Sequence, residues 1–395
     1  MGQAVVDRDI VVFGGGVTGF TYAVFQKMLC PDRDVTVYEK SLKPLGRILV
    51  SGNGRSNFFN TWLKSDKLPP DPLFDQARKV LAPDWGSKAF AYFLDTFKVP
   101  YYVQDWLIYP FANKADVLRD AMLEKAQRVG VKVVTGQLKR VSLEGFKPTF
   151  AVLDNEGQDF TVRARKAFLA LGGQALQYPP FDWRMLMALK LKHNTFQPAL
   201  VPLITYENTR EMEGSRVKCD LELLDGDSAV YAEKEGEVLF KPDGLSGICV
   251  FNASIHIDQS RFSDYTVVLD LTHHDGTSVA IDGDNVLRSY PHPIAAYLLA
   301  RAKAEKTDVG RLAKRLTFHV KGVYPFRNAE VSKGGIDLSE MEVDTMVLKK
   351  YPTLGILGEL LDIPMYCGGF NIGLGIVEAY KAACGEKAKT EGKGF

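Results

Sequence analysis

The chain begins with a strand-helix-strand pattern of apolar positions. Residues 10–13 (IVVF) form an apolar run bounded by charged residues, which predicts a buried strand. An apolar, helix-forming segment follows over residues 20–29 and ends before Pro31. The next strand pattern, DVTVYEK, ends on Glu39. This order predicts the first part of an α/β domain.

The same character continues over about the first 175 residues, with an added hairpin. Asn113 is a candidate N-cap for a helix that Gly130 ends, and VKVVTG then reads as a strand. The triplet 155–157 (NEG) marks a hairpin turn between two strand patterns. A buried run over residues 168–171 leads into Gly172. The sequence therefore predicts an α/β domain that carries a β-rich insertion.

The pattern changes in the middle of the chain. Residues 198–272 show short alternating segments separated by Gly and Asp turns, which predicts an antiparallel sheet or a small barrel. Residues 283–319 are predicted to be a small helical insertion. The α/β character returns from about Tyr351, with a glycine-led helix in GGFNIGLGIVEAYKAAC. The charged, Gly-rich tail GEKAKTEGKGF is expected to be disordered.

Composition and charge narrow the classes of function. The 395 residues are 46% hydrophobic and 25% charged, and 49 Lys and Arg against 48 Asp and Glu give a net charge of +1. This balance favours a small-molecule substrate over nucleic acid or an anionic membrane. No apolar run approaches the roughly 20 residues that span a bilayer, and no secretory leader pattern is present, so a cytoplasmic location is expected. The oligomeric state is not predicted.

Cysteine and histidine usage argues against a metal site. The five cysteines are scattered without a C-x-x-C pair, and the six histidines show no ligand spacing. A reducing compartment, no dithiol chemistry and no metal are expected. His273 and His274 form an adjacent pair that we interpret as a surface feature.

A dinucleotide site is predicted after the first strand. Gly14, Gly16 and Gly19 have G-x-G-x-x-G spacing, which suits a tight turn, a close approach to a pyrophosphate, and close packing of helix on strand. The helix N-terminus presents free N–H groups to phosphate. Glu39 lies 20 residues after Gly19, where an acid can accept bonds from ribose hydroxyls. The alternative is a glycine-rich turn without a ligand.

The sequence resembles the HI0933-like family of bacterial flavoproteins, which includes the BaiN-type reductases and an aminoacetone oxidase. The resemblance spans almost the whole chain. The stretches that carry it are GGGVTG, GRILVSGNGRSNFFN, LIYPFANKADVL, FLALGG, PALVPL, GLSG, VSKGGIDL and GILGELLDIPMYCGGFNIGLGIVEAY.

The resemblance implies an α/β fold with a Rossmann-like, glutathione-reductase-like FAD-binding domain and two insertions. The implied boundaries are 1–197 and 346–395 for the FAD-binding domain, 198–272 and 320–345 for a β-rich substrate domain, and 273–319 for a small helical domain. It also implies bound FAD. Because the chain has no second G-x-G-x-x-G for a nicotinamide, NADH or NADPH is expected to bind as a transient electron donor or not at all.

The resemblance further implies which residues hold FAD. The residues expected to bind the ADP half of FAD are Gly14, Gly16, Gly19 and Glu39. The residues expected to line the flavin side lie in GRILVSGNGRSNFFN and in GILGELLDIPMYCGGFNIGLGIVEAY. The implied cofactor residues beyond the first four are Arg47, Ser51, Gly52, Gly54, Arg55, Asn57, Gly172, Gly358, Glu359, Asp362, Gly368, Gly369, Phe370, Asn371 and Ile372. For Arg47 and Arg55 the alternative is a solvated loop arginine.

Three positions depart from the family pattern. Ser56 stands where the family usually has Cys, so no thiol is expected there. Pro179-Pro180 lies where the family has a glycine-rich segment. Gly373 and Leu374 replace a bulky Gln-Trp pair. A substrate different from those of the relatives is therefore expected.

The expected activity is that of an FAD-dependent oxidoreductase. The BaiN-type relatives imply NAD(P)H-driven reduction of a conjugated C=C bond in an enone or steroid-like substrate. Such a reaction needs a polarising group and an acid, for which Tyr109, Lys333 and Tyr366 are candidates. Tyr109 could instead be a core residue, and Lys333 a surface residue. Two alternatives remain open: an amine oxidase that uses O₂, and a flavin-binding protein that modifies RNA or has a regulatory role.

Overall fold

The computed structural model describes residues 4–65, 67–145, 147–176 and 180–390. They divide into two compact units. The first unit comprises the described residues of Met1–Gly173, Pro179–Phe196 and Gly334–Phe395, and the second those of Gln174–Tyr178 and Gln197–Lys333.

Helices and strands are numbered separately in chain order. The helices are α1 (Val17–Leu29), α2 (Thr61–Lys64), α3 (Asp75–Leu81), α4 (Trp85–Phe97), α5 (Ala115–Val129), α6 (Ile248–Ile255), α7 (Val286–Ser289), α8 (His292–Glu305), α9 (Val309–Lys314) and α10 (Phe370–Thr390). None of these helices, within the described ranges, is long and apolar enough to cross a membrane.

The strands of the first half are short except for the core strands and one hairpin. They are β1 (Ala4–Phe13), β2 (Val35–Glu39), β3 (Phe59–Asn60), β4 (Tyr101–Gln104), β5 (Leu107–Pro110), β6 (Lys132–Thr135), β7 (Gln137–Glu144), β8 (Lys147–Leu153), β9 (Asp159–Leu169), β10 (His193–Ala199) and β11 (Leu203–Thr205).

The remaining strands contain most of the second unit's sheet and three short strands near the C-terminus. They are β12 (Arg216–Asp225), β13 (Ser228–Lys241), β14 (Gly244–Ser246), β15 (Tyr265–Asp270), β16 (His273–His274), β17 (Thr277–Ser278), β18 (Leu316–Val323), β19 (Val331–Ile336), β20 (Met341–Glu342), β21 (Val347–Leu348) and β22 (Leu354–Ile356).

A mixed sheet forms the centre of the first unit. Its strand order is β20-β21-β22-β9-β1-β2-β6, with β7 and β8 added through β9. Strand β1 pairs in parallel with both β2 and β9, and β9 pairs in parallel with β22. Residues 10–13 of β1 are at most 1% exposed, as expected for an apolar strand between two parallel neighbours. The predicted Rossmann-like α/β architecture is confirmed.

Both ends of the chain contribute to this unit. Helix α10 packs on α1, and α10 is also held to the sheet by charge. Lys166 of β9 and Glu386 of α10 form a buried ion pair at 2.6 Å. Arg165 adds a second bond to Glu386 at 2.8 Å. The carboxylate therefore has two cationic partners, which compensate its burial.

The second unit is built around a closed barrel in the order β11-β14-β13-β12-β15-β18. The small barrel expected for residues 198–272 is present, and it closes only through β18, which lies further along the chain. Helix α8 buries Ile294 and Leu298 in the same hydrophobic core as barrel residues such as Leu203. The helices of residues 286–314 thus share the barrel's core, and the division of the chain into three domains stays a prediction.

Three local predictions were wrong. Asn113 does not cap α5: it adopts φ 55°, its side chain accepts a bond from the Tyr102 hydroxyl, and Lys114 is the N-cap. Residues 316–319 form β18 instead of helix, because alternate side chains face the barrel core. Helix α10 continues to Thr390, so residues 385–390 of the segment expected to be disordered are helical. Residues 391–395 lie outside the described part of the chain.

Candidate functional site

The turn between β1 and α1 has the geometry of a phosphate-binding turn. Gly14 has φ 112°, and a Cβ there would lie 2.1 Å from the Ala170 carbonyl oxygen. A Cβ on Gly19 would lie 2.1 Å from the Gly14 oxygen, so helix and turn are in direct contact. Gly16 differs, because a Cβ built on it meets nothing within 4 Å. The three glycines thus have separate roles: two are required by the fold, and one leaves open space at the start of α1.

Glu39 lies beside this turn, as the spacing predicted. One of its carboxylate oxygens accepts a bond from the Gly15 amide at 2.5 Å, and the other from the Ser41 amide at 2.8 Å. These bonds fix the carboxylate at the carboxyl end of β2. A fixed acceptor beside an open helix N-terminus suits the ribose and pyrophosphate of a dinucleotide.

Residues 46–57 follow as a compact, strongly bent segment. Two 3₁₀ turns over Gly46–Gly54 are separated by a kink at residues 51–53. The Ser51 hydroxyl donates to the Ile48 carbonyl at 2.7 Å, and the Ser56 amide donates to the Ser51 carbonyl at 3.0 Å. Arg47 forms a half-exposed ion pair with Glu359 at 3.2 Å. This ion pair joins the 46–57 segment to the loop at Glu359. Both were assigned to FAD by the resemblance, and they are far apart in sequence.

Arg55 and Tyr109 form the most distinctive polar pair of this region. The guanidinium donates to the Tyr109 hydroxyl at 3.1 Å and lies 4.5 Å from the centre of its ring. Tyr109 is only 4% exposed. Burial raises the pKa of its hydroxyl, and the charge of Arg55 acts in the opposite direction. The hydroxyl is therefore protonated at neutral pH and polarised by a cation.

Asn57 fixes the end of the segment. In the orientation that satisfies its hydrogen bonds, its amide nitrogen donates to the carbonyls of Phe59 (2.8 Å) and Ile108 (3.2 Å). Asn57 thus connects the segment to β3 and β5. Ser56, at the position of the family's Cys, has φ 57° and is fully buried, and its Oγ has no hydrogen-bond partner among the described residues.

The loop after β22 is held from several sides. The amide of Gly358 donates to the buried Glu378 carboxyl at 2.5 Å. Asp362 accepts bonds from the Gly334 amide at 2.9 Å and from the Asn194 side chain at 2.8 Å. The Asp362 carboxylate thus already has two partners in this structure and stabilises the loop. Its direct role toward a cofactor stays a prediction.

The start of α10 is closely surrounded. A Cβ on Gly368 would lie 2.2 Å from the Trp106 ring, and one on Gly369 would lie 2.6 Å from the Phe59 carbonyl oxygen. Asn371 closes its own loop by bonds to the amide and carbonyl of Met365 at 3.0 and 2.9 Å. Phe370 is buried, and Ile372 is partly exposed in the first turn. Close packing around the two glycines and the bonds of Asn371 therefore hold the N-terminus of α10 in a fixed position.

All the predicted cofactor residues lie in the first unit. The structure brings Gly14, Gly16, Gly19 and Glu39 together, and separately pairs Arg47 with Glu359. Gly172 follows β9 with φ 72°. Gly52 and Gly54 also have positive φ, which the bends of the segment require.

The other two catalytic candidates have different surroundings. Tyr366 is half-buried, and its hydroxyl donates to the Asp71 carboxylate. Lys333 belongs to the second unit, where its ammonium donates to the carbonyls of Ile255, at 3.2 Å, and Ile257, at the end of α6. Both side chains therefore donate to structural partners, whereas the Tyr109 hydroxyl donates to no residue that the structure describes.

Sequence reasoning missed several residues that shape the site. The Asn60 side chain donates to the Gly368 carbonyl at 2.9 Å, and Trp106 lies against Gly368. Thr18 lies between Gly358 and Gly375, where a Cβ would meet its side chain at 3.1 and 2.3 Å. Asn60 and Thr18 are in stretches that carried the resemblance, so their positions were a usable signal. Glu378 also lies in such a stretch, but its helix pattern does not show which loop it contacts.

The departures from the family pattern are partly explained. At Gly373 a Cβ would lie 2.6 Å from the Leu63 side chain and 3.0 Å from the Phe59 ring, so a larger residue would require these side chains to move. Leu374 is 3% exposed and belongs to the core. Of the proline pair, Pro179 lies outside the described residues. Within the described residues, no group of His, Cys, Asp and Glu could hold a metal ion.

The residues present fit FAD. The open space at Gly16, the fixed Glu39 carboxylate and the cationic Arg55 supply a pyrophosphate turn, a ribose acceptor and a charge near the predicted flavin segment.

This chain is similar to known proteins over most of its length. The family model described as HI0933-like protein Rossmann domain matches residues 8–385. The 3-dehydro-bile acid delta(4,6)-reductase of Clostridium scindens is 26% identical, over 92% of this chain and 95% of that protein. The ribosomal RNA dihydrouridine synthase of Escherichia coli is 23% identical, over 92% of this chain and 94% of that protein.

A solved structure shares the fold. It is the 3-ketosteroid delta1-dehydrogenase from Sterolibacterium denitrificans in complex with 1,4-androstadiene-3,17-dione, with a TM-score of 0.52 and 13% identity, over 97% of this chain and 100% of that chain. With the match over residues 8–385, the dinucleotide turn and the glycine-led C-terminal helix, the chain belongs to the HI0933-like family of FAD-dependent oxidoreductases.

Proposed function

We propose that this protein reduces a carbon–carbon double bond conjugated to a carbonyl group in a small organic substrate, with NADH or NADPH as the electron donor. The observation that carries the proposal is the Arg55–Tyr109 pair, which places a protonated, cation-polarised hydroxyl next to the segment predicted to line the flavin. Enone reduction requires such a group, either to polarise the carbonyl or to protonate the α-carbon.

FAD, when bound, supplies the hydride chemistry. The chain's own contribution is the position and state of the proton donor. Because Arg55 donates to the Tyr109 oxygen, the Tyr109 O–H is left to donate elsewhere, and it has no acceptor among the described residues. The stacked Tyr102 ring, 5.5 Å away and inclined by 19°, fixes the Tyr109 ring. Tyr109 is therefore our preferred acid, ahead of Tyr366 and Lys333.

The relatives support the type of reaction. The names of the Clostridium scindens and Escherichia coli proteins both describe saturation of a ring double bond: one in a 3-oxo bile acid and one in uridine. In each ring the double bond is conjugated to a carbonyl, so both reactions require a group that polarises a carbonyl. The relatives thus support the proposed reaction type, and the substrate is left to the experiment below.

We further propose a small molecule as the substrate, in preference to RNA. The near-zero net charge offers little attraction for a polyanion. The cofactor residues inferred from the resemblance, the three-domain boundaries and a cytoplasmic location belong to the same proposal.

An anaerobic titration tests it. The purified holoprotein is mixed with NADH or NADPH under argon while the absorbance of oxidised flavin is followed, and a 4-en-3-one steroid is then added. We expect bleaching by one nucleotide, recovery of colour on addition of the enone, and the saturated ketone as the product.

Three outcomes would contradict the proposal. Bleaching by an amine and reoxidation only by O₂ would identify an amine oxidase. Reoxidation by uridine in ribosomal RNA but not by enones would identify an RNA-modifying enzyme. Bleaching without reoxidation by any conjugated carbonyl compound would exclude the proposed reaction.

A further inference from the structure

A cavity of about 340 Å³ lies in the first unit, beside the 3₁₀ segment Trp183–Leu189. Most of its wall is apolar. Its apolar and aromatic lining consists of Trp183, Leu186, Met187, Leu191, His193 and Ile336. This volume is at the lower end of the range typical of small-molecule sites.

The aromatic wall of the cavity is preformed. The rings of Trp183 and His193 are stacked, with their centres 4.4 Å apart and an inclination of 23°. Phe196 supports Trp183 from another direction at 5.0 Å. The Nδ1 of His193 is 3.0 Å from the Leu191 carbonyl oxygen, which fixes the imidazole ring. A flat, rigid wall binds a ring or a fused ring system with little loss of side-chain entropy.

Met187 leaves an apolar side chain in water at the rim. It is 73% exposed, although the neighbouring Leu186 is buried. A ligand in the cavity can cover this side chain and gain the free energy of apolar burial. Ile336, which is distant in sequence from the other lining residues, is only 1% exposed and forms part of the inner wall.

Two cationic side chains, Arg184 and Lys190, line the cavity, and only one of them is paired with a carboxylate. Arg184 is neutralised by Asp182 through two bonds of 2.9 Å. The exposed Lys190 also lines the cavity, and its ammonium has no hydrogen bond or ion pair with any residue that the structure describes. An apolar cavity with one unpaired cation is complementary to an apolar molecule that carries one anionic group.

The inner wall of the cavity is hydrogen-bonded to the loop predicted to bind the flavin. The carbonyl of Ile336 accepts a bond from the Asp362 amide at 2.9 Å. Asn194, next to His193, donates to the Asp362 carboxylate at 2.8 Å. The cavity-lining residue Ile336 is thus hydrogen-bonded to Asp362, a residue of the predicted cofactor motif.

We propose that this cavity is a binding site for an apolar organic carboxylate, with its rings against Trp183 and its carboxylate toward Lys190. The proposal concerns binding only. It does not depend on which reaction the protein catalyses.

Isothermal titration of the FAD-loaded protein with naphthalene-2-carboxylate tests the proposal, with the uncharged 2-naphthamide as the matched probe. We expect one carboxylate site per chain and weaker binding of the amide. Lys190→Gln should weaken carboxylate binding about two- to fivefold, as expected for an exposed ion pair, and leave amide binding unchanged. Lys79→Gln, an exposed lysine of α3 outside the cavity, is the charge-matched control.

Met187→Glu gives a second, independent test. The side chain is exposed, so folding should be kept, which circular dichroism and FAD content would verify. The new carboxylate repels the ligand and makes the rim polar, so carboxylate binding should fall at least tenfold. The proposal is overturned by absence of one-to-one binding, by equal affinity for the carboxylate and the amide, or by binding that Met187→Glu does not change.

Discussion

Glu378 and Gly358 are joined by a hydrogen bond of 2.5 Å between the Gly358 amide and a carboxyl oxygen inside α10. Glu378 is 1% exposed. Burial raises the pKa of its carboxyl group to about 8, although the bond from Gly358 and the charge of Lys381 act in the opposite direction. A neutral carboxyl at physiological pH therefore holds the loop that the resemblance assigns to FAD.

This relationship predicts how stability depends on pH. Between the ordinary pKa of 4.5 and the folded value of about 8, the unfolded chain has lost the Glu378 proton while the folded chain retains it. The folded state therefore binds more protons, and its stability falls as pH rises through this window, by at most about 1.4 kcal/mol per pH unit from this group. The Glu378→Gln variant keeps an acceptor for Gly358 but cannot ionise.

Urea unfolding at pH 5, 6.5 and 8 checks this prediction. Relative to the wild type, Glu378→Gln should become more stable as pH rises. Glu124→Gln, at an exposed position on α5, is the control and should follow the wild type. Parallel pH profiles for wild type and Glu378→Gln would contradict the assigned protonation state.

Two glycines of the first turn should respond differently to the same change. Gly19→Ala places a methyl group 2.1 Å from the Gly14 oxygen and should lower the free energy of unfolding by about 3 kcal/mol. Gly16→Ala meets no protein atom within 4 Å and should leave the stability of the apoprotein unchanged. Because that space is where a pyrophosphate would approach, Gly16→Ala should still weaken FAD binding. Thermal unfolding of the apoproteins and fluorescence titration with FAD separate the two effects.

The role of Tyr109 can be tested with two matched variants. Tyr109→Phe removes the hydroxyl that Arg55 polarises and should lower turnover of an enone at least about 100-fold, as expected for loss of a general acid. Flavin reduction by the nucleotide should change little. Tyr102→Phe removes the hydroxyl of the stacked neighbour, which donates to Asn113, and should retain most activity. Stopped-flow measurement of the two half-reactions distinguishes these results, and equal effects of both variants would contradict the assignment.

The ion pair under α10 predicts a large stability effect. Glu386→Ala would leave the buried ammonium of Lys166 without its carboxylate and should cost about 3–5 kcal/mol. Glu124→Ala, which breaks an exposed pair with Arg128, should cost less than about 0.5 kcal/mol. Denaturant unfolding measures both. A small loss in Glu386→Ala would show that water or another group replaces the carboxylate.

Much of the cofactor unit could be predicted from sequence, because its signals are local. The apolar run at residues 10–13, the three spaced glycines and Glu39 define a strand, a turn and an acceptor over a few tens of residues. The glycine-led helix α10 was also evident. By contrast, the cap at Asn113 was wrong because the side chain bonds to Tyr102 on β4, a contact that periodicity does not show.

The missed parts depend on contacts between distant segments. The strand β18 closes the barrel with β11 and β15, yet it follows helices closely enough in sequence to be read as helical. Asn60 donates to the Gly368 carbonyl, 308 residues away, and Glu378 accepts from the Gly358 amide, 20 residues before it. No pattern within a window of 15 residues contains such partners. Three-dimensional packing supplies them.

The cofactor site is tested most directly by equilibrium titration of the apoprotein with FAD, followed by flavin fluorescence and by absorbance of the bound cofactor. We predict one FAD per chain, bound without a covalent bond, and markedly weaker binding to Gly16→Ala at unchanged apoprotein stability. A folded wild-type protein that binds no FAD, or a Gly16→Ala variant that binds FAD as tightly as the wild type, would contradict the site described for the first unit.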